Sequence, residues 1–412
     1  MKILSAIIIA PHMHESGAIN AGKCLSAATA EYCQVDIAIM AFDEKVSLLD
    51  KARLLERKSS NFLSFTKELL PNKFRTLFYR SDIPSLISQG DYDLVHIHNP
   101  IPALEMKRVA QACITKNIPY VVSTHGFVEV TSGGSAYSLK HLHEKLAWKF
   151  FLENPLNYVI KNATKIFALS PLEYPMLEQL GVDNQKLSVV TNGVNHIFYS
   201  RKTATDINLV AERFGLPKLA DKKNPVCIYL GNHTKNKGLE ILLDAFTQSK
   251  KAFTLIVCGK KRDIIDYDSY LQKCHTHQHI VFTDRVSNEE IISLFQYSDL
   301  FVYPTLSDTL PLVILEAMAS GLPILSTQVG GIPYQVDANS GVLVEAGNAN
   351  AVTEAFEMMT ENLQQLREMG TCAYHAVKSK FDWHQSGQLA FTNYTEILHP
   401  YQAQYPVKSL IR

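Results

Sequence analysis

Short apolar runs rich in β-branched residues recur along the 412 residues, and the longer segments between them carry helical periodicity. The runs fall at 2–10, 34–42, 94–99, 120–125, 165–170 and 187–192, then at 225–231, 253–259, 280–284, 300–304, 323–327 and 341–344. Runs of about four to eight apolar residues alternating with helices are the pattern of parallel strands buried on both faces. Two such series predict two doubly wound α/β domains, and 412 residues exceed the roughly 250–300 at which one hydrophobic core stops growing. The expected division is 1–198 for the first domain, 199–222 for a polar, charged hinge region, and 223–380 for the second domain. Residues 381–412 are expected to form a helix that returns to the first domain, with Phe391, Tyr394 and Leu398 on one apolar stripe.

The opening "MKILSAIIIAPHMHES" has a leader-like look, but Ile8 spoils a small-x-small cleavage site ending at Ala10, so a buried first strand is expected. No later run approaches the ~20 apolar residues of a membrane-spanning helix. Lys plus Arg and Asp plus Glu number 40 each, which leaves no global field to attract nucleic acid or an anionic membrane, so any anion site is local. The seven cysteines, Cys24, Cys33, Cys113, Cys227, Cys258, Cys274 and Cys372, are scattered with no C-x-x-C pair, which fits a reducing, cytoplasmic setting.

Open parallel sheets bind ligands beyond the carboxyl ends of their strands. Four loops there carry chemistry: "PHMHESGA", "THGF", "GNHTKNKG" and "SDTLPLVILEAMASGLP". In the last, Pro311 suits a first helical turn and Gly321 a helix end, so a helix is expected from near Pro311 to about Ser320. Asp308 then stands in the loop before the helix and Glu316 more than a turn inside it. Between them the helix N-terminus offers unpaired N–H groups and about half a positive charge, which suits phosphate. Carboxylate, anion site, carboxylate matches the order sugar, diphosphate, ribose of a nucleotide sugar. The plainer alternative is a loop acid and a solvated helix acid. Two neighbours favour the first reading: the Gly330-Gly331 loop at the same sheet edge, and Lys235 and Lys237 in a strand-to-helix loop within reach of a diphosphate.

With these in order, the chain resembles the retaining GT-B glycosyltransferases that carry an E-x7-E motif, glycosyltransferase family 4, "group 1". The likeness runs through Gly17, "DLVHIHNP", "STHG", "IFALSPLE", "VVTNGVN", "GNHTKNKG", "VSNEEIISLFQYSDLFVYPT" and the Asp308–Glu316 stretch. It implies two Rossmann-like domains facing across a cleft. It also implies that Glu316 binds the ribose hydroxyls, Asp308 the transferred sugar, and the amides near Leu312 and Val313, with Lys237 and Lys235, the diphosphate. Leu310 and Asn232 count among the donor-binding positions. The main chain at Val286 would lie beside the base, Gly17 would let the first domain approach the phosphates, and His125 would sit under the sugar near its anomeric carbon. His125, Asp308 and Lys237 are thereby the implied catalytic residues. No cofactor and no metal are expected, because lysine, amides and a helix terminus neutralise the leaving diphosphate. Three positions depart from the family pattern: Asp308 replaces its first Glu, Asn232 stands where Arg is usual, and Pro311 replaces a glycine of the turn.

His96 and His98 alternate in a strand and so share a face, where core or cleft packing is preferred to metal ligation. For His125 a structural role is the alternative to a place at the sugar. Along "YSLKHLHEKLAWKFFLENP", Leu139, Leu142, Leu146 and Phe150 form a stripe, with Lys140, Lys145, Lys149 and Trp148 off it. An ordinary amphipathic helix is the first expectation, and a patch meeting an amphiphilic acceptor or the inner face of a membrane the second. The segment "VEVTSGGSAYS" before it suits an acceptor loop. The function expected is transfer, with retention, of a hexose or N-acetylhexosamine from a UDP- or GDP-sugar to a glycan or glycolipid hydroxyl, in bacterial surface polysaccharide synthesis. A UDP-N-acetylhexosamine 2-epimerase and a two-lobed solute-binding protein are the alternatives.

Overall fold

The computed structural model describes residues 1–13, 17–62, 76–99, 101–125, 127 and 141–404. The chain divides into two units, Met1–Gly193 with Trp383–Arg412, and Val194–Asp382.

The first unit is built on strands β1 (Lys2–Ile7), β2 (Gln34–Ala41), β3 (Lys45–Leu49), β4 (Ala52–Asn61), β5 (Tyr79–Ser81), β6 (Leu94–His98), β7 (Tyr120–Ser123), β8 (Lys165–Ala168) and β9 (Leu187–Val189). They run β3-β4-β2-β1-β6-β7-β8-β9, with β5 on β4. From β4 to β9 along that path every pairing is parallel, while β3 and β5 meet β4 antiparallel. The leader-like opening is a central strand: Ile3, Leu4, Ala6 and Ile7 of β1 are fully buried between β2 and β6. Strands β3 and β4 escape sequence reading because "KVSLLDKARLLERKSSN" has no continuous apolar run, and β5 because it is only three residues, "YRS". One face of this sheet extension is wet, with Val46 and Leu48 exposed, and the hairpin turns at Asp50 with φ +52°.

Among the helices are α1 (Gly17–Thr29), α2 (Ala103–Thr115), α3 (Leu142–Trp148) and α4 (Asn154–Asn162), with Lys149–Glu153 forming a π turn between the last two. Here the amphipathic expectation is overturned. Leu142, Leu146 and Phe150 are 73%, 47% and 61% exposed, while Trp148, placed off the stripe, is buried. The reason is a second apolar series, Trp148, Leu152, Leu156, Val159 and Ile160, which runs on through α4 into the core of the first unit. The longer stripe takes the core and the shorter one is left outside. Leu139, Lys140 and the expected acceptor loop at 128–138 lie outside the described residues.

The second unit holds β10 (Val226–Leu230), β11 (Phe253–Cys258), β12 (Gln278–Asp284), β13 (Leu300–Tyr303), β14 (Ile324–Thr327) and β15 (Gly341–Val344), in the order β12-β11-β10-β13-β14-β15 and wholly parallel. This is the dinucleotide-fold order, reversing direction between β10 and β13. The segment 199–222, expected as a hinge region, lies inside this unit. Thr203 caps helix α5 (Ala204–Arg213), which packs on α7 (Asn288–Tyr297) and pairs Arg213 with Glu290. Its polar composition marks a solvent-facing helix. The chain passes between units at 193/194 and 382/383 instead. The C-terminal helix Trp383–Gln404 belongs to the first unit, where Tyr394 and Leu398 are buried and Phe391 stacks on Tyr32 at 5.5 Å.

Candidate active site

The reversal between β10 and β13 sets the loops after these two strands side by side at the carboxyl end of the second sheet. Leu306 N donates to Asn236 O at 2.8 Å and Thr305 Oγ1 to the same oxygen at 3.0 Å, which stitches the loops together. Only glycine fits at 238, just before α6 (Leu239–Gln248): its φ is +71° and a Cβ would lie 1.8 Å from Pro304 O.

That approach unites two residues to which sequence reasoning assigned different duties. Lys237 Nζ donates to Asp308 Oδ1 at 2.8 Å, while Asp308 Oδ2 accepts from Tyr303 OH at 2.8 Å and Thr305 Oγ1 at 3.1 Å. The carboxylate is thus fixed on both oxygens and nearly buried. An ammonium has three donors, so a bond to one carboxylate oxygen is compatible with a phosphate contact. Behind this loop, Gly330 has φ +52° and a Cβ there would meet Asp308 O at 1.8 Å. Gly331 N donates to Thr309 O at 2.6 Å.

Helix α8 (Leu312–Ala319) begins immediately after Pro311 and ends at Ser320, with Gly321 left-handed at φ +89°. The first-turn amides of any helix lack intrahelical partners, and here they include those of Leu312 and Val313, both at part-exposed positions. Leu310 is buried against the loop. Glu316 is the fifth residue of the helix, only partly exposed, and its carboxyl makes no hydrogen bond or ion pair among the described residues. Burial alone pushes its pKa up to about 7. Asn232 and Lys235 are exposed, and Lys235 N donates to Asp263 Oδ2 at 2.7 Å. Val286 stands after β12, next to Ser287, which caps α7, on the same sheet edge. Sequence reasoning missed Tyr303, Thr305 and Thr309. The Thr309 hydroxyl is buried with no partner among the described residues, and only its place between Asp308 and α8 signals it.

In the first unit Gly17 opens α1 at an exposed position, and His14–Ser16 before it lie outside the described residues. His125 is buried two residues past β7, its Nε2 without a partner among the described residues, and desolvation lowers its pKa to about 4. The ring is therefore neutral at physiological pH. His96 is a core histidine, with Nδ1 bonded to Tyr394 OH at 2.6 Å and Nε2 to Ser123 Oγ at 2.8 Å. His98 lies between the two, its ring 3.9 Å from that of His96 and stacked 5.5 Å from that of His125. Among the described residues no three His, Cys, Asp or Glu side chains are grouped to hold a metal ion.

Two Rossmann-like units, the second with lysine, carboxylates and a helix N-terminus at its switch point, define the GT-B class of glycosyltransferase. The profile of the glycosyl transferases group 1 matches residues 215–376 and that of Glycosyltransferase Family 4 residues 27–197. The chain is 23% identical over 304 residues to N-acetyl-α-D-glucosaminyl L-malate synthase of Bacillus anthracis, covering 73% of this chain and 74% of that one. It is 24% identical over 291 residues to the putative teichuronic acid biosynthesis glycosyltransferase TuaC of Bacillus subtilis, covering 70% and 67%. Its fold is similar to that of Anabaena HepE, solved in complex with UDP-glucose, with a TM-score of 0.68 at 17% identity over 96% of this chain and 100% of that one. The chain belongs to the group 1, family 4 glycosyltransferases.

Proposed function

We propose that the protein moves a hexose or N-acetylhexosamine from a UDP- or GDP-sugar to a hydroxyl of a glycan or glycolipid, with retention and without a metal, in the synthesis of a bacterial surface polysaccharide. One observation carries the reading: Lys237 and Asp308 meet within a turn of the α8 N-terminus, with the unpaired Glu316 further along the same helix. Lysine and helix amides suit a diphosphate whose negative charge grows as the sugar bond breaks. Glu316 suits paired ribose hydroxyls, and Asp308 with the Thr309 hydroxyl suits the sugar. A leaving diphosphate held in this way itself takes the acceptor's proton as the new bond forms on the face it vacates. HepE supports the UDP arm and TuaC the polysaccharide setting.

The test is transfer assayed with UDP- and GDP-linked glucose, galactose, mannose and N-acetylglucosamine, with the anomeric configuration of the product read by NMR. An inverted product, or conversion of the donor sugar with no acceptor present, overturns the reading. Activity is expected to persist in excess EDTA, because cationic side chains and amides do the neutralising. Loss of turnover restored by Mn²⁺ or Mg²⁺ contradicts it.

The exposed stripe supports peripheral membrane contact as well. Leaving Leu142 and Phe150 in water forgoes about 1.5–3 kcal/mol each relative to full burial, and Lys145 and Lys149 interleave with them, a pairing suited to an anionic lipid surface. Sedimentation with vesicles containing phosphatidylglycerol is expected to pull down the protein and to fail for Leu146→Glu/Phe150→Glu. Equal partitioning of the parent and this double variant removes the assignment.

A further inference from the structure

The lysine loop after β10 carries one residue to which the donor reading gives no part. His233 is fully buried, whereas Asn232 and Lys235 on either side of it are exposed. Burial, with Lys261 nearby, lowers its pKa to about 4, so the ring is neutral and has one N–H for its two nitrogens. Nδ1 is bonded to Tyr267 OH at 2.8 Å, and the ring packs beside those of Tyr267 and Phe282, with centroids 5.8 and 6.5 Å away. An apolar side chain would satisfy the burial. What a histidine adds is the bond to Tyr267.

That bond closes a set of links among the loops after β10, β11 and β12. His233 N donates to Lys260 O at 2.9 Å and His233 O accepts from Asp263 N at 3.0 Å, so the segment after β11 runs alongside the lysine loop. Asp263 returns the contact, its Oδ2 accepting from Lys235 N at 2.7 Å. A Cβ on Gly259 would lie 1.8 Å from Gly231 O, and Gly259 N donates to Asp284 O at 2.9 Å, at the end of β12 and two residues before Val286. Tyr267 opens the helix Tyr267–Lys273, and Lys261 Nζ lies over its ring at 5.0 Å.

The segment so held has no core of its own. Residues 260–264 are all exposed, so bonds rather than packing must fix it. The Lys261–Asp284 pair, at 3.8 Å and exposed on both sides, contributes little. The His233–Tyr267 bond is anchored instead on a buried ring. We propose that His233 is a positioning residue for the donor: through Tyr267 its ring fixes the segment after β11, whose Asp263 sets the Lys235 amide, and so keeps Lys235 and Lys237 where the diphosphate is held.

This rests on the donor reading above and adds to it a residue that touches no substrate. The full chain would be titrated calorimetrically with UDP and with GDP and then assayed for transfer, as the parent, His233→Phe, His233→Asn, Tyr267→Phe and His233→Phe/Tyr267→Phe. His233→Phe and Tyr267→Phe are each expected to raise the nucleotide Kd and the donor KM about three- to tenfold, the worth of one hydrogen bond, with acceptor KM unchanged. The double variant should be no worse than either single one, because both remove the same bond. His233→Asn, which returns a hydrogen-bonding atom near the place of Nδ1, should restore most of the affinity. Tyr267→Phe alters a half-exposed side chain and decides the matter even where His233→Phe does not fold. Parent-like nucleotide Kd in folded Tyr267→Phe, equal rises in donor and acceptor KM, or losses that add in the double variant overturn the proposal. A parent protein that binds neither nucleotide overturns the donor reading, and this inference with it.

Discussion

Lys237→Ala is expected to cut the turnover of sugar transfer by about two to three orders of magnitude while changing donor Kd far less. The difference follows from where charge appears. A diphosphate bound as part of the intact donor already carries charge, but the oxygen that leaves the sugar gains its own only as the bond breaks, and a preorganised cation is felt most there. Removing one such donor costs about 2.7–4 kcal/mol in comparable sites. The variant has a second consequence, because Lys237 is also the ammonium on Asp308 Oδ1. Asp308 would keep its bonds from Tyr303 and Thr305 but lose its counter-charge while nearly buried, so some loss of melting temperature is expected too. The melting temperature of Asp308→Asn/Lys237→Ala isolates the stability effect, because the asparagine removes the need for a counter-charge. Asn232→Ala, at an exposed position, should do much less than either. A Lys237→Ala protein that is folded and turns over like the parent would place the phosphate site elsewhere.

Glu316→Gln is expected to move stability and nucleotide affinity in opposite directions. Burial raises the Glu316 carboxyl from 4.5 to about 7, so the folded state favours the neutral acid. In the unfolded chain the proton leaves near 4.5. Between these values the native state binds more protons, and the fold loses stability as pH rises through that window; the penalty is absent below about 4.5 and complete above about 7. A shift of this size corresponds to at most about 3.4 kcal/mol. Glutamine does not titrate, so the variant should melt like the parent at pH 4.5 and several degrees higher at pH 8. Nucleotide binding should run the other way. The ribose hydroxyls are best held by the ionised carboxylate, so parent affinity should rise as pH passes 7, whereas the variant should show a flat profile and a loss of about 1.5–3 kcal/mol at pH 8. Melting curves and calorimetric titrations with UDP and GDP at three pH values check both limbs. Equal nucleotide affinity in parent and variant at pH 8 would end the assignment of Glu316 to the ribose.

Much of this architecture is legible along the chain, and the reason is local. A strand buried on both faces must be apolar throughout, so β1, β2, β6, β7, β8, β10, β11, β13 and β14 announce themselves within a few residues, and the part-exposed edge strands β9, β12 and β15 still carry a short apolar run. Helix α8 is equally legible, since Pro311 and Gly321 act through their own backbone preferences at its two ends. The exposed β3 and β4 hairpin is not, because a half-wet strand rich in Lys, Arg and Glu carries little signal against a helix. What only the tertiary structure decided are the meetings of distant residues. Lys237 and Asp308 are 71 positions apart, and their ion pair exists because strand order reverses between β10 and β13. Likewise, Leu142, Leu146 and Phe150 make as good an apolar stripe as Trp148, Leu152 and Leu156 when read within one helix. Which stripe is buried was settled by continuity with α4 and the core beneath it, a long-range packing energy that no window of sequence contains.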